Sequence, residues 1–249
     1  MKSCQEWLLA FNQSYDNIMS HRAPGLNEYE ISKVLTDAQE VVVMGLYNGS
    51  FGKAFQSTED VSNFLAPLMR QATMTEVTEA KDSSYSHIVT GSHIYVLPST
   101  ADEILFKTLE LCTLESDCKG SDGKPLYNQA IVVPITEDEY WRTIRNPFKN
   151  ANANRVLRLT YPSSSTDTGG ILSVKKYTEL ISSRKIGTYT VKYITRPEPI
   201  ILVDLKESEE ADGLTIHGKW QAQTCLLDDA LHQAILNEAV QMAKAVWQS

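Results

Sequence analysis

The apolar residues of this chain recur at helical spacing over its first 70 positions, then at strand spacing from about residue 85 onward. A return to helical spacing closes the chain. Trp7, Leu8, Phe11, Tyr15, Ile18 and Met19 fall on one face of a helix spanning residues 4–20, which APG at 23–25 breaks. Asn27, with Glu30 three residues on, has the pattern of a capping box. It opens a second helix on Ile31, Val34, Leu35, Ala38, Val41 and Val42, which should end near Asn48-Gly49. Ser57 and Asp60 open a shorter third helix with Val61, Phe64, Leu65 and Leu68 inward, and Pro67 kinks or ends it.

Beyond residue 85, HIYVLP, ILFKTLELCTLE, NQAIVVPI, RVLRLTY, ILSVKKYTELI and TYTVKYI read as strands rich in β-branched and aromatic residues. ILFKTLELCTLE and ILSVKKYTELI fit a helix as well. Asp122-Gly123 and Gly169-Gly170 mark turns or loops, and Thr136 with Glu139 caps a short helix in TEDEYWRTIR. Asp228 or Asp229 starts the closing helix, whose stripe is Leu231, Ile235, Ala239, Met242, Ala243 and Val246. The expected fold class is α+β: an N-terminal helical layer, a central, mostly antiparallel β region and a long C-terminal helix. One domain spanning 1–249 is expected, with a helical part at 1–80, a β-rich part at 85–205 holding a helix near 136–145, and the closing helix at 228–247.

Residues 193–202, YITRPEPIIL, pose a separate problem. The two prolines remove backbone donors, so this stretch should leave the sheet as an extended arm while Ile200, Ile201 and Leu202 stay buried. Two resting places are open: the subunit's own sheet, or a neighbouring subunit.

Composition excludes several classes. A net charge of −8 argues against a dedicated nucleic-acid binder. No apolar run nears the roughly 20 residues needed to span a bilayer. MKSCQEWLLAFNQ has neither the apolar core nor the cleavage site of a signal peptide. Cys4, Cys112, Cys118 and Cys225 are few and scattered, as expected of synthesis in a reducing cytosol.

The search for chemistry gives only weak patterns. NGSFGK at 48–53 departs from a phosphate loop in glycine spacing, in Ala54 after the lysine and in the helix before it. Ser182-Ser183-Arg184-Lys185 matches Ser-x-x-Lys without its companion motifs. His21, His87, His93, His217 and His232 form no zinc-binding pair, and Cys112 with Cys118 has no second cysteine pair. Glu207, Glu209, Glu210 and Asp212 lack the spacing of a calcium loop and read as a solvated loop. No catalytic, cofactor-binding or metal-binding residue is therefore expected. Trp141 and Phe148 are either core residues or anchors at an interface.

Three stretches together carry a family likeness: APGLNEYEISKVLTDAQEVVV at 23–43, VVPITEDEYWRTIRNPFKNANANRVLRL at 132–159, and YITRPEPIIL with CLLDDALHQAILNEAVQMAKA at 225–245. They resemble the neck ring (head-to-tail adaptor) proteins of crAss-like Bacteroides phages. That resemblance implies a virion structural protein rather than an enzyme, made in the host cytoplasm. It implies a homo-oligomeric ring of about twelve copies, a dodecamer closed by head-to-tail contacts. The ring would join the portal protein to other neck or tail proteins and pass genomic DNA without reading its sequence, with no membrane and no cofactor. The alternatives are another virion part, such as a tail-tube, stopper or cargo protein, or an enzyme with an unrecognised site. The likeness to a ring favours a neighbour as the surface under the arm.

Overall fold

The computed structural model describes residues 2–19, 25–49, 63–77, 91–98, 104–166, 172–206 and 213–248. The fold is α+β. It falls into two compact units: unit 1 is residues 1–69 with 196–249, and unit 2 is residues 70–195.

Unit 1 is built on three helices: α1 (Cys4–Met19), α2 (Glu28–Asn48) and α4 (Asp229–Gln248). Each has a capped start. Ser3 and Glu6 exchange hydrogen bonds, Glu6 Oε2 accepting from the Ser3 N–H at 2.7 Å and Ser3 Oγ from the Glu6 N–H at 3.3 Å. Asn27 and Glu30 form the expected capping box, and Gly49 closes α2 in the left-handed conformation at φ 71°. Asp228 is the acid that caps α4, its Oδ1 accepting from the Ala230 N–H at 2.9 Å. The run Val41–Val43 stays helical although β-branched residues favour strands. Val42 and Val43 are fully buried, so packing outweighs propensity. Trp7, Phe11, Leu35, Leu231, Ile235 and Ala239 are likewise buried, and α2 packs chiefly on α4.

The prolyl arm belongs to this unit, which corrects the expectation of a neighbour and the alternative of the sheet. Ile200 and Ile201 are fully buried against the chain's own helix α2. Three of the arm's donors find partners. The Ile200 N–H donates to Thr36 Oγ1 at 3.1 Å, the Leu202 N–H to Ser32 Oγ at 3.0 Å, and the Ile201 N–H to the Gln223 carbonyl at 2.9 Å. Pro197 and Pro199 sit just before the stretch that needs donors, where their missing N–H groups cost nothing. The return segment turns at His217-Gly218, both at positive φ, between the paired residues Ile216 and Lys219.

Unit 2 is a sheet of eight strands: β1 (Met69–Thr73), β2 (Thr75–Glu76), β3 (His93–Val96), β4 (Ile104–Lys119), β5 (Pro125–Pro134), β6 (Arg155–Thr166), β7 (Leu172–Ile181) and β8 (Ile186–Thr195). Their order is β1-β8-β4-β5-β6-β7-β3-β2. The two edges are therefore consecutive pieces of one segment, separated only by Met74. Its N–H bonds to Tyr189 of β8, while Val77 bonds to Ile94 of β3, both at 2.8 Å. The sheet closes on itself as a barrel through this segment. The short link from Ile181 to Ile186 agrees: it reaches about 17 Å at most, whereas an open sheet would separate β7 from β8 by about 19 Å. Cys112, Leu114, Val132, Val156, Tyr189 and Val191 belong to the core of the barrel.

Both segments with ambiguous period are strands. The pairing of β4 with β8 slips at three places, and the two slips before Leu109 each insert a residue in β4 that blurs its period of two. Strands β1 and β2 escaped prediction and lie in the stretch expected to be helical. Met69–Thr73 turns mostly polar, exposed side chains outward and offers no apolar alternation. The pairs β2–β3, β3–β7, β6–β7, β4–β5 and β4–β8 are antiparallel, whereas β5 and β6 are parallel and joined by the helix α3 (Glu137–Ile144). Asn63–Leu65 is helical and passes into a 3-10 turn at Ala66–Leu68 containing Pro67, so the short helix ends there. Its expected start at Ser57 and Asp60 lies outside the described residues.

Candidate functional site

The crossover between β5 and β6 carries Phe148, the most exposed large apolar side chain among the described residues. Thr136 caps α3, its Oγ1 accepting from the Glu139 N–H at 3.3 Å. This is the forward half of the expected capping box. The helix buries one aromatic, Tyr140, and presents the next, Trp141, to solvent, the two rings meeting edge to face at 5.2 Å. Burial raises the Tyr140 hydroxyl above its usual pKa, with Glu179 adding to the effect. The loop after α3 is held by its own side chains. Asn146 Oδ1 accepts from the Phe148 N–H at 2.9 Å, Asn152 Oδ1 from the Asn154 N–H at 2.9 Å, and the Arg155 guanidinium donates to the Phe148 carbonyl. A loop so fixed still exposes 85% of Phe148, and Trp141 and Ile131 are 61% and 70% exposed. Large apolar groups on a built, rigid frame in water are the signature of a contact surface rather than of a core. Of the two readings of Trp141 and Phe148, exposure rules out the core one.

Beside them runs a cleft of 630 Å³ between α3, its loop and the ends of β5 and β6, lined by Val133, Leu157 and the charged Glu139, Arg142, Lys149 and Arg155. Arg142 and Lys149 have no ion-pair partner among the described residues. These cations escaped the sequence reading. Their signal was the switch within one short stretch from TEDE, three acids in the first turn, to RTIRNPFKNANANR, with four cations and no acid.

The other polar clusters have structural roles. Glu110 Oε1 accepts from Lys107 Nζ and Arg158 Nη1, each at 3.0 Å, and from the Tyr189 hydroxyl. Burial, then Glu110, pushes Tyr189 well above its normal range, so it stays a neutral donor. Burial also lifts the Cys112 thiol to about 12 and Cys225 to about 11, far from the thiolate state a nucleophile requires. Ser182–Lys185 is the link between β7 and β8, where Arg184 pairs with Asp117. His93 bonds to Glu76 at 2.7 Å, His217 lies 3.6 Å from Glu40, and His232 is buried against Trp7. These histidines are not brought together, and no group of three metal-ligating residues occurs among the described residues. Asn48-Gly49 is the end of α2, as read. The rest of NGSFGK, His21, His87 and the acidic run Glu207, Glu209, Glu210 and Asp212 lie outside the described residues. No helix among those residues is long and apolar enough to cross a membrane.

Comparison with known proteins converges on a single family. A family model described as "Phage tail ring protein 3/4" matches residues 3–249. Ring protein 3 of Bacteroides phage crAss001 is 34% identical over 222 residues, covering 88% of this chain and 84% of that protein. Ring protein 4/5 of the same phage is 31% identical over 249 residues, covering 96% of this chain and 90% of that protein. A family model matched along nearly the whole length and two relatives above 30% identity agree: the chain belongs to the phage tail ring protein 3/4 family.

Proposed function

We propose that this protein is a non-catalytic subunit of a ring in the neck of a tailed phage, where copies repeat about the tail axis and connect the portal to the tail. The observation that carries the reading is the exposure of Trp141, Phe148 and Ile131 on a frame fixed by its own hydrogen bonds. Such groups reward burial by another protein. The names of the relatives supply the kind of assembly, a ring. A ring of about twelve copies would follow from a head-to-tail contact whose rotation closes. Genomic DNA would pass through it without sequence-specific contact, in keeping with the acidic charge of the chain. Synthesis takes place in the host cytoplasm on this reading.

A second reading keeps the ring but moves it toward the tail, since the family description itself places its rings there. Gold-labelled antibody against the chain, applied to purified particles, tests both. Label at the junction of head and tail supports the neck ring, and label just below it the tail-side ring. Label along the tube or inside the capsid overturns both.

A further inference from the structure

Charge is distributed very unevenly between the two units. Of the 23 basic and 31 acidic residues, 15 and 14 fall within 70–195, which leaves 8 and 17 for unit 1. Unit 2 thus carries a net +1 and unit 1 a net −9. Three of the basic residues of unit 2 that form no ion pair among the described residues, Arg142, Lys149 and Arg155, line one place, the cleft beside α3. Unit 1 in turn exposes Asp16 and Glu28, which form no ion pair among the described residues.

We propose that the basic cleft beside α3 receives the acidic unit 1 of a second copy, so that copies join head to tail. The inference rests on the reading of the chain as a ring subunit and names the contact that reading leaves open. Two chains of net charge −8 repel at long range, so a specific contact between them needs a local patch of opposite sign. The cleft supplies it. Trp141 and Phe148 project from the same helix and loop, giving apolar anchors within a charged rim, the composition expected of a protein interface. The unlike charges of the two faces make the contact heterologous, which allows a ring to close. Duplex DNA is a competing polyanion, but the cleft is short and the chain as a whole repels phosphate.

The test uses the full chain, with association followed by analytical ultracentrifugation and folding by circular dichroism. Replacing Arg142 and Lys149 together by Glu should weaken self-association by about 100-fold or more while leaving the melting temperature unchanged, since both side chains are exposed. Replacing Asp16 and Glu28 together by Lys should do the same. Mixing the two variants should then yield a dimer and nothing larger, because each retains one working face. Association by the Arg142→Glu/Lys149→Glu chain equal to wild type, or a mixture without dimers, overturns the proposal and leaves the ring reading intact. A wild-type chain that stays monomeric at every concentration also overturns it, and labelled particles then judge the ring reading alone. Retention of a duplex oligonucleotide by wild type, lost in the Arg142→Glu/Lys149→Glu chain, assigns the cleft to phosphate and overturns it too.

Discussion

Thr36 Oγ1 lies within hydrogen-bonding distance of both backbone groups of Ile200, accepting from its N–H at 3.1 Å and standing 3.3 Å from its carbonyl. One hydroxyl on a helix thus does for the arm what a neighbouring strand would do in a sheet. Replacing Thr36 by Val keeps the volume and strands the Ile200 N–H in a buried site, the hydroxyl's own proton being nearer the Ser32 carbonyl at 2.8 Å. The expected loss is about 1–3 kcal/mol of monomer stability, read from urea unfolding. A change within 0.3 kcal/mol, the scale on which distant sites stay independent, would mean that the arm is held by its side chains alone.

Charged groups at the arm's anchors should act on the monomer. Asp in place of Ile200 or Ile201 enters a fully buried site at a cost of at least about 3 kcal/mol. Thermal melting of the isolated chain checks this. An unchanged melting temperature together with failed assembly would return the arm to an interface.

Acid should weaken unit 1 through His232. Its ring is buried against Trp7 at 5.0 Å, and desolvation holds its pKa below the usual histidine value despite Asp229 at 3.5 Å; Lys2 reinforces the lowering. A histidine depressed in the folded state contributes stability that is present above its unfolded pKa, near 6.5. That stability is lost as pH falls below 6.5 toward the depressed folded value, at up to about 1.4 kcal/mol per pH unit. Urea titrations across this window should show the slope in wild type and a flatter one in His232→Gln. Equal slopes would contradict the assignment.

The outer face of the barrel is tight at Gly187. A Cβ on Gly187 would lie 2.6 Å from the Tyr127 ring and 2.8 Å from Thr113 Oγ1. Gly187→Val should cost about 1–3 kcal/mol through this overlap, and adding Tyr127→Ala should return part of the loss. A double variant no better than Gly187→Val would place the strain in the backbone instead.

Glu110 joins Lys107, Arg158 and Tyr189 at a mostly buried position. Glu110→Gln removes a carboxylate that offsets these two cations, and the expected loss is about 2–4 kcal/mol by urea unfolding. A neutral outcome would show that solvent already screens the cluster.

Local signals were legible wherever chemistry is confined to a few residues. Asn27 with Glu30, Gly49 and Asp228 mark helix ends because caps are made between near neighbours in sequence. Closure of the barrel was not legible, because it depends on Met74 meeting Tyr189, more than a hundred positions away, through a backbone bond indifferent to side chains. The arm was legible as an arm, since two prolines forbid a sheet. Its resting place depends on Ser32 and Thr36, two hydroxyls that look like ordinary interruptions of an apolar stripe. At the candidate surface, Trp141 and Phe148 left core and interface open, with the core the commoner place for such residues. Exposure rules the core out, and for Trp141 it follows from the turn of α3 relative to Tyr140.

The central claim is that this chain builds a ring about the tail axis. A cryo-electron microscopy reconstruction of the particle, computed with and without imposed rotational symmetry, measures that directly. Several copies of the chain are expected, related by rotation about the axis near the junction of head and tail, each placing the α3 cleft against the helical unit of the next. Copies absent from that region, or present there without rotational repetition, would contradict it.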